Sequence, residues 1–214
     1  MAPLPVALAE EGDLRVYSGF AVVDFANSSG FGTGGPPLVA IYTGHREESS
    51  ARQRVEDQRL AYSNDRGRTW THTLVIRSLD IGLPDFRDPK VFWHEQTKRW
   101  IMAVVLPMAK KDRALRFGGS QRRAPLSEFG PAGAWRDPTI WECPDLFSLK
   151  VEGEPDGRKW VLIVNINSGA PAGGSGTQYF VGEFDGTQFV CGPDGSGEAA
   201  VWLDHGSDFY AGVT

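Results

Sequence analysis

Ser63-Asn-Asp-Arg-Gly-Arg-Thr-Trp70 is the stretch that decides the fold. Asp65 has side-chain oxygens that can cap backbone amides, and Gly67 accepts the conformations a tight turn needs. The segment therefore reads as the tip of a β-hairpin, with Trp70 opening the return strand. The same form recurs on either side. Phe92-Trp-His-Glu-Gln-Thr-Lys-Arg-Trp100 places a polar turn between aromatic-rich strands, and Gly182-Glu-Phe-Asp-Gly-Thr-Gln-Phe189 turns at Asp185-Gly186. Candidate strands are Tyr17–Phe25, Leu38–Tyr42, Gln58–Ser63, Lys90–Trp93, Arg99–Val105, Lys159–Asn165, Thr177–Phe184 and Glu198–Trp202, and hardly any window carries helical periodicity. Ala26–Pro37 and Ala170–Gly176 are Gly/Ser/Pro-rich loops, and Lys110–Pro131 reads as a long polar connection. The class is all-β: a sandwich, a barrel or a propeller with divergent blades, because no regular repeat is visible.

Composition narrows the function classes. With 214 residues, 41% hydrophobic and 23% charged, the chain can bury a sizeable core and is neither disordered nor membrane-embedded. No apolar run approaches membrane-spanning length, which argues against a membrane partner. A net charge of −5 and scattered basic residues argue against a nucleic-acid groove and suit a neutral ligand. Two cysteines, Cys143 and Cys191, make no disulfide framework, and no Cys or His spacing suggests a metal site. Met1–Glu10 has no basic residues ahead of its short apolar stretch and does not read as a secretory signal, which leaves the compartment open.

Two clusters place a carboxylate among groups able to hold it: Phe86-Arg-Asp-Pro-Lys-Val91 and Trp141-Glu-Cys-Pro-Asp-Leu-Phe147. In the second, Glu142 lies between Trp141 and the soft Cys143, with Pro144 stiffening the exit. Desolvation there favours the protonated carboxyl that a general acid needs. On these residues alone, a strand-edge carboxylate beside a buried Trp is an equal reading. In the first cluster Arg87 and Asp88 are adjacent, and Pro89 restricts Asp88 to extended backbone. A surface Arg and a turn Asp fit as well. Arg136-Asp-Pro138 repeats the tripeptide, but Asp137 is set aside because its surroundings read as a loop, whereas Asp88 leads into the apolar run Val91-Phe-Trp93.

Phe86-Arg-Asp-Pro89 followed by Trp141-Glu-Cys-Pro-Asp-Leu-Phe147 resembles glycoside hydrolase family 32. Similar segments run nearly end to end: Tyr17-Ser-Gly-Phe-Ala-Val-Val-Asp24, Gly174-Ser-Gly-Thr-Gln-Tyr-Phe-Val-Gly182 and Trp202-Leu-Asp-His-Gly-Ser-Asp-Phe-Tyr-Ala211. The Ser63–Trp70 hairpin is similar to the Asp-box of sugar-processing propellers, where its role is structural. The resemblance implies a five-bladed β-propeller acting on β-fructofuranosyl bonds of sucrose, inulin or levan with retention, without metal or cofactor. By that likeness Glu142 is the general acid/base and Asp88 the transition-state stabiliser. Tyr17, Ser18 and Arg87 are substrate-binding, and Cys143 sits beside Glu142 and tunes it. Phe20 departs from the family, which commonly has a small Ser there.

A retaining mechanism needs a second carboxylate roughly 5 Å from the first. The family supplies it from a Trp-Met-Asn-Asp-Pro-Asn-Gly motif, and no such string occurs in residues 1–214. The chain is therefore expected to be a partial catalytic propeller domain. The nucleophile segment of the first blade, the last propeller strands and a C-terminal β-sandwich would lie outside it. On this reading the chain is inactive alone. The alternatives are a related five-bladed propeller glycosidase, against which the Glu-Cys-Pro string argues, and a non-catalytic fructan-binding propeller fragment.

Overall fold

A computed structural model describes residues 5–48, 53–76, 86–107, 113–119, 127–129, 141–192 and 201–214. Every regular element among them is a β-strand. The chain divides into two compact units, 1–91 and 92–214.

In the first unit β1 (Arg15–Val23), β2 (Leu38–Glu48), β3 (Gln53–Ser63) and β4 (Thr71–Ile76) form one antiparallel meander in sequential order. The β3–β4 turn is built by Asp65. Its Oδ1 accepts the amides of Arg68 at 3.0 Å and Thr69 at 2.9 Å, and its Oδ2 accepts the Thr69 hydroxyl at 2.6 Å. The Thr69 bonds, with help from the Ser63 hydroxyl, hold this carboxyl well below the ordinary carboxylate range. The sequence-predicted hairpin is present, with the return strand beginning at Thr71 rather than Trp70. Val39, Ala40, Ile41, Tyr42, Val55 and Ala61 are buried in this sheet.

The second unit contains a four-stranded sheet in the order β12-β11-β10-β9, from β9 (Trp141–Lys150), β10 (Arg158–Ile166), β11 (Gly176–Phe184) and β12 (Phe189–Cys191). A third sheet joins β5 (Arg87–His94), β6 (Arg99–Pro107), β7 (Arg113–Gly119) and β8 (Ser127–Phe129), and the unit boundary falls within β5. Ile101, Ala103, Val105, Trp141, Leu146, Leu162, Val164, Ile166, Phe180, Phe184 and Phe189 form one buried apolar cluster. At about 25 cal/mol per Å² of apolar area removed from water, such burial is the main force holding the sheets together.

Two sequence expectations change. Lys110–Pro131 is not a plain connection but carries β7 and β8, whose charged flanks hid their strand character. The candidate strand Glu198–Trp202 lies partly outside the described residues. Its described end makes a single bridge, Trp202 to Gln178.

Candidate active site

The first unit gathers an unusual number of buried polar groups. Thr43, His45, Glu56, Asp57, Gln58, Asp88 and Lys90 are all less than a tenth exposed. Glu56 organises them. Its Oε2 accepts the Phe86 amide at 2.8 Å and lies 3.5 Å from Arg87 Nη1, and its Oε1 is 3.3 Å from His45 Nδ1. Gln58 donates to the Phe86 carbonyl at 2.6 Å, and the Asp88 amide donates to Thr43 Oγ1 at 3.1 Å. β2, through Thr43, and β3, through Glu56 and Gln58, thus hold the backbone of residues 86–88. Arg87 Nε lies 4.0 Å from Asp88 Oδ2.

Asp88 has φ +60°, a left-handed conformation uncommon for a residue with a Cβ. This departs from the extended backbone expected before Pro89. The bonds from Gln58, Glu56 and Thr43 over-determine the segment and hold the strain.

Tyr17 and Ser18 are exposed and lie in a β-bulge, because the β1–β2 register shifts between Val16 and Gly19. A bulge re-aims side chains that a regular strand would alternate. The Tyr17 ring stacks on His45 at 4.5 Å between centroids and 8° between planes. A chain of contacts therefore runs from Tyr17 through His45 and Glu56 to Arg87. Phe20 lies under an ammonium, with Lys90 Nζ 3.6 Å from its ring centroid. An aromatic here supplies a cation–π seat for a buried cation, which a small side chain would not.

Glu142 and Cys143 belong to the second unit. The β9–β10 register also shifts here, between Ile163 and Asn165, opposite Cys143-Pro144, and Cys143 has φ +44°. Pro144 sits in a strand interior without loss because the bulge needs no amide from it. Glu142 is partly exposed, and Trp141 beside it is buried with its indole donating to Gln178 Oε1 at 3.2 Å. The Tyr210 hydroxyl donates to Glu142 Oε2. Asn165, fully buried, donates to the Cys143 carbonyl at 2.8 Å and accepts the Ala211 amide at 3.0 Å.

The predicted residues thus fall into two groups: Tyr17, Ser18, Arg87 and Asp88 in the first unit, Glu142 and Cys143 in the second. Asp137 lies outside the described residues. Neither Cys143 nor Cys191 forms a disulfide, both are partly buried, and burial pushes the Cys191 thiol up. Sequence reasoning passed over Glu56, His45, Asn165 and Tyr210. A signal existed for two of them. Glu56 belongs to the polar run Glu56-Asp-Gln-Arg59 inside a strand, and Asn165 interrupts the apolar run Val161-Leu-Ile-Val164.

In this all-β chain each candidate carboxylate stands at an irregular strand position, Asp88 beside Arg87 and Glu142 beside the Tyr210 hydroxyl. The chain belongs to the glycosyl hydrolases of family 32, whose N-terminal-domain model matches residues 2–214. It is 46% identical over 215 residues to a levanase of Bacillus subtilis, covering 99% of this chain and 30% of that protein. The crystal structure of an exo-inulinase from Aspergillus awamori superposes with TM-score 0.76 at 36% identity, covering 94% of this chain and 42% of that one. A fructofuranosidase from Schwanniomyces occidentalis, complexed with fructose, gives TM-score 0.77 at 36% identity, covering 96% and 38%. The chain spans less than half the length of these relatives. Its fold is an incomplete five-bladed β-propeller, to which the described residues contribute three four-stranded sheets.

Proposed function

We propose that residues 1–214 are part of a retaining β-fructofuranosidase acting on sucrose, inulin or levan, with Glu142 as general acid/base and Asp88 as transition-state stabiliser. One observation supports this above the rest. Each of the two carboxylates sits at a left-handed kink, at Asp88 itself and at Cys143 next to Glu142, and strain of this kind collects at functional sites.

In the first step protonated Glu142 gives its proton to the glycosidic oxygen as the bond to the anomeric carbon breaks. A nucleophilic carboxylate forms the fructosyl ester, and Glu142, now ionised, takes a proton from the water that hydrolyses it. No match to the nucleophile motif occurs in residues 1–214, so that carboxylate has to be supplied from outside them. Asp88 accepts sugar hydroxyls whose bonds tighten as the oxocarbenium ion forms. Arg87, held by Glu56, binds hydroxyls and orients Asp88. Tyr17 offers a ring face and Ser18 a hydroxyl at the bulge, and the Cys143 thiol lies beside the acid/base. No step calls for a metal or organic cofactor.

The test replaces the matching segment of the Bacillus subtilis levanase with residues 1–214 and measures fructose release from sucrose, inulin and levan. Activity is expected, with Glu142→Gln reducing it by about 10²–10⁴-fold. An equally active Glu142→Gln variant overturns the assignment. A folded chimera that binds fructan without cleaving it favours the second reading, a fructan-binding fragment. The missing nucleophile string supports that reading for the isolated chain.

A further inference from the structure

We infer that Asn165 is the residue that positions Glu142, holding with one carboxamide both ends of the Glu142–Tyr210 hydrogen bond. This rests on the reading of Glu142 as acid/base and adds the device that aims it. Asn165 sits on β10 in an apolar run and is fully buried. Its Nδ2 donates to the Cys143 carbonyl at 2.8 Å and to the Glu142 carbonyl at 3.4 Å. Its Oδ1 accepts the Thr177 hydroxyl at 2.5 Å and the Ala211 amide at 3.0 Å. The first pair fixes the bulge that turns Glu142; of the second, the Ala211 bond fixes the residue following Tyr210, whose hydroxyl meets the Glu142 carboxylate, and the Thr177 bond holds Oδ1 in place.

The backbone outliers fall where this amide acts. Cys143 has φ +44° and Ala211 φ +56°, both uncommon for residues with a Cβ, and each has a backbone group bonded to Asn165. A strained conformation persists only where the surroundings over-determine it. Replacing the amide lets both segments relax toward ordinary backbone, moving the carboxyl and its tyrosine apart. A misplacement near 1 Å costs on the order of 10²-fold in rate. In the first step, which kcat/KM reads, the loss falls on the proton given to the leaving group.

That step distinguishes aiming from general damage. In the nucleophile-supplying chimera, kcat/KM is measured for sucrose, whose leaving group needs the proton, and for β-fructofuranosyl fluoride, whose leaving group needs it far less. The ratio of the two is independent of the fraction of folded protein. For Asn165→Ala the sucrose value is expected to fall about 10²-fold through kcat, and the fluoride value less than about 5-fold. If Asn165→Ala does not fold, Thr177→Val, which removes one bond to Oδ1, is read by the same ratio with a smaller expected loss. Equal losses on both substrates, or no loss on either, overturn the proposal. If Glu142→Gln shows no leaving-group split, the acid/base reading itself has failed, which is a separate result.

Discussion

Glu56→Ala removes a carboxylate that serves three partners at once. The side chain is 3% exposed, accepts the Phe86 amide at 2.8 Å, and faces Arg87 Nη1 at 3.5 Å and His45 Nδ1 at 3.3 Å. Orphaning a buried amide costs about 1–3 kcal/mol, and breaking a buried ion pair by truncating one partner costs about 3–5 kcal/mol. The two overlap, because one group provides both, so the expected loss is about 3–5 kcal/mol. Glu56→Gln keeps an oxygen for the Phe86 amide but gives up the charge and the second acceptor oxygen, which faces His45, so it should cost about 1–3 kcal/mol. The assay is urea unfolding followed by tryptophan fluorescence, read as a shift of midpoint at constant slope. A double-mutant cycle with Arg87→Lys should return a coupling of about 0.5–3 kcal/mol. A Glu56→Ala protein within about 0.5 kcal/mol of the parent would refute the claim that this carboxylate holds the 86–88 segment. So would a Glu56→Gln protein as unstable as Glu56→Ala, since the amide bond would then carry none of the cost.

Three further outcomes are open to measurement. His94 is 1% exposed against Trp160 and Phe184, and burial pulls its imidazole below the ordinary 6.5, with Asp185 opposing and Arg99 assisting. Its contribution is therefore complete above about pH 6.5 and is lost as pH falls, because the unfolded chain takes a proton that the folded one resists. Unfolding midpoints from pH 7.5 to 5 should decline less steeply in His94→Gln, by at most about 1.4 kcal/mol per pH unit. Gly19→Ala would put a Cβ 2.3 Å from the Ile41 carbonyl oxygen, so it should destabilise by about 1–3 kcal/mol and disturb the Tyr17-Ser18 bulge, read as weakened fructan binding. Leu162→Ala opens a cavity at a fully buried core position and should cost about 2–5 kcal/mol by the same urea assay.

Much of the fold was legible because hairpin tips declare themselves chemically. Asp65 and Asp185 each cap amides two to four residues onward, a purely local arrangement that a sequence displays in full. β7 and β8 were not legible. Arg113-Ala-Leu-Arg-Phe-Gly-Gly119 has little hydrophobic alternation, and its place as a strand comes from pairing with Leu106 and its neighbours on β6. Such pairing is a long-range fact, invisible in a local window. β9 was hidden for another reason. Pro144 argues against a strand interior, and only the bulge makes it acceptable.

The same irregularity explains why the site residues were easier to name than to place. In a regular strand neighbouring side chains point to opposite faces, so Tyr17 and Ser18 would be separated by a sheet. A bulge relaxes that rule, and two of the three candidate segments have one: Tyr17-Ser18 on β1 and Cys143-Pro144 on β9. Asp88 reaches a comparable effect through a positive φ at the head of β5. None of these three devices is encoded by the residues it displaces. The β1 bulge leaves Gly19 against the Ile41 carbonyl with no room for a Cβ. The β9 bulge depends on an amide at position 165, and the β5 kink on a carboxylate at position 56. The residues with chemistry could be read from their own neighbourhood, whereas those that aim them lie far off in sequence: Asn165 on the paired strand β10, and Glu56 on β3, a strand of a different sheet from β5.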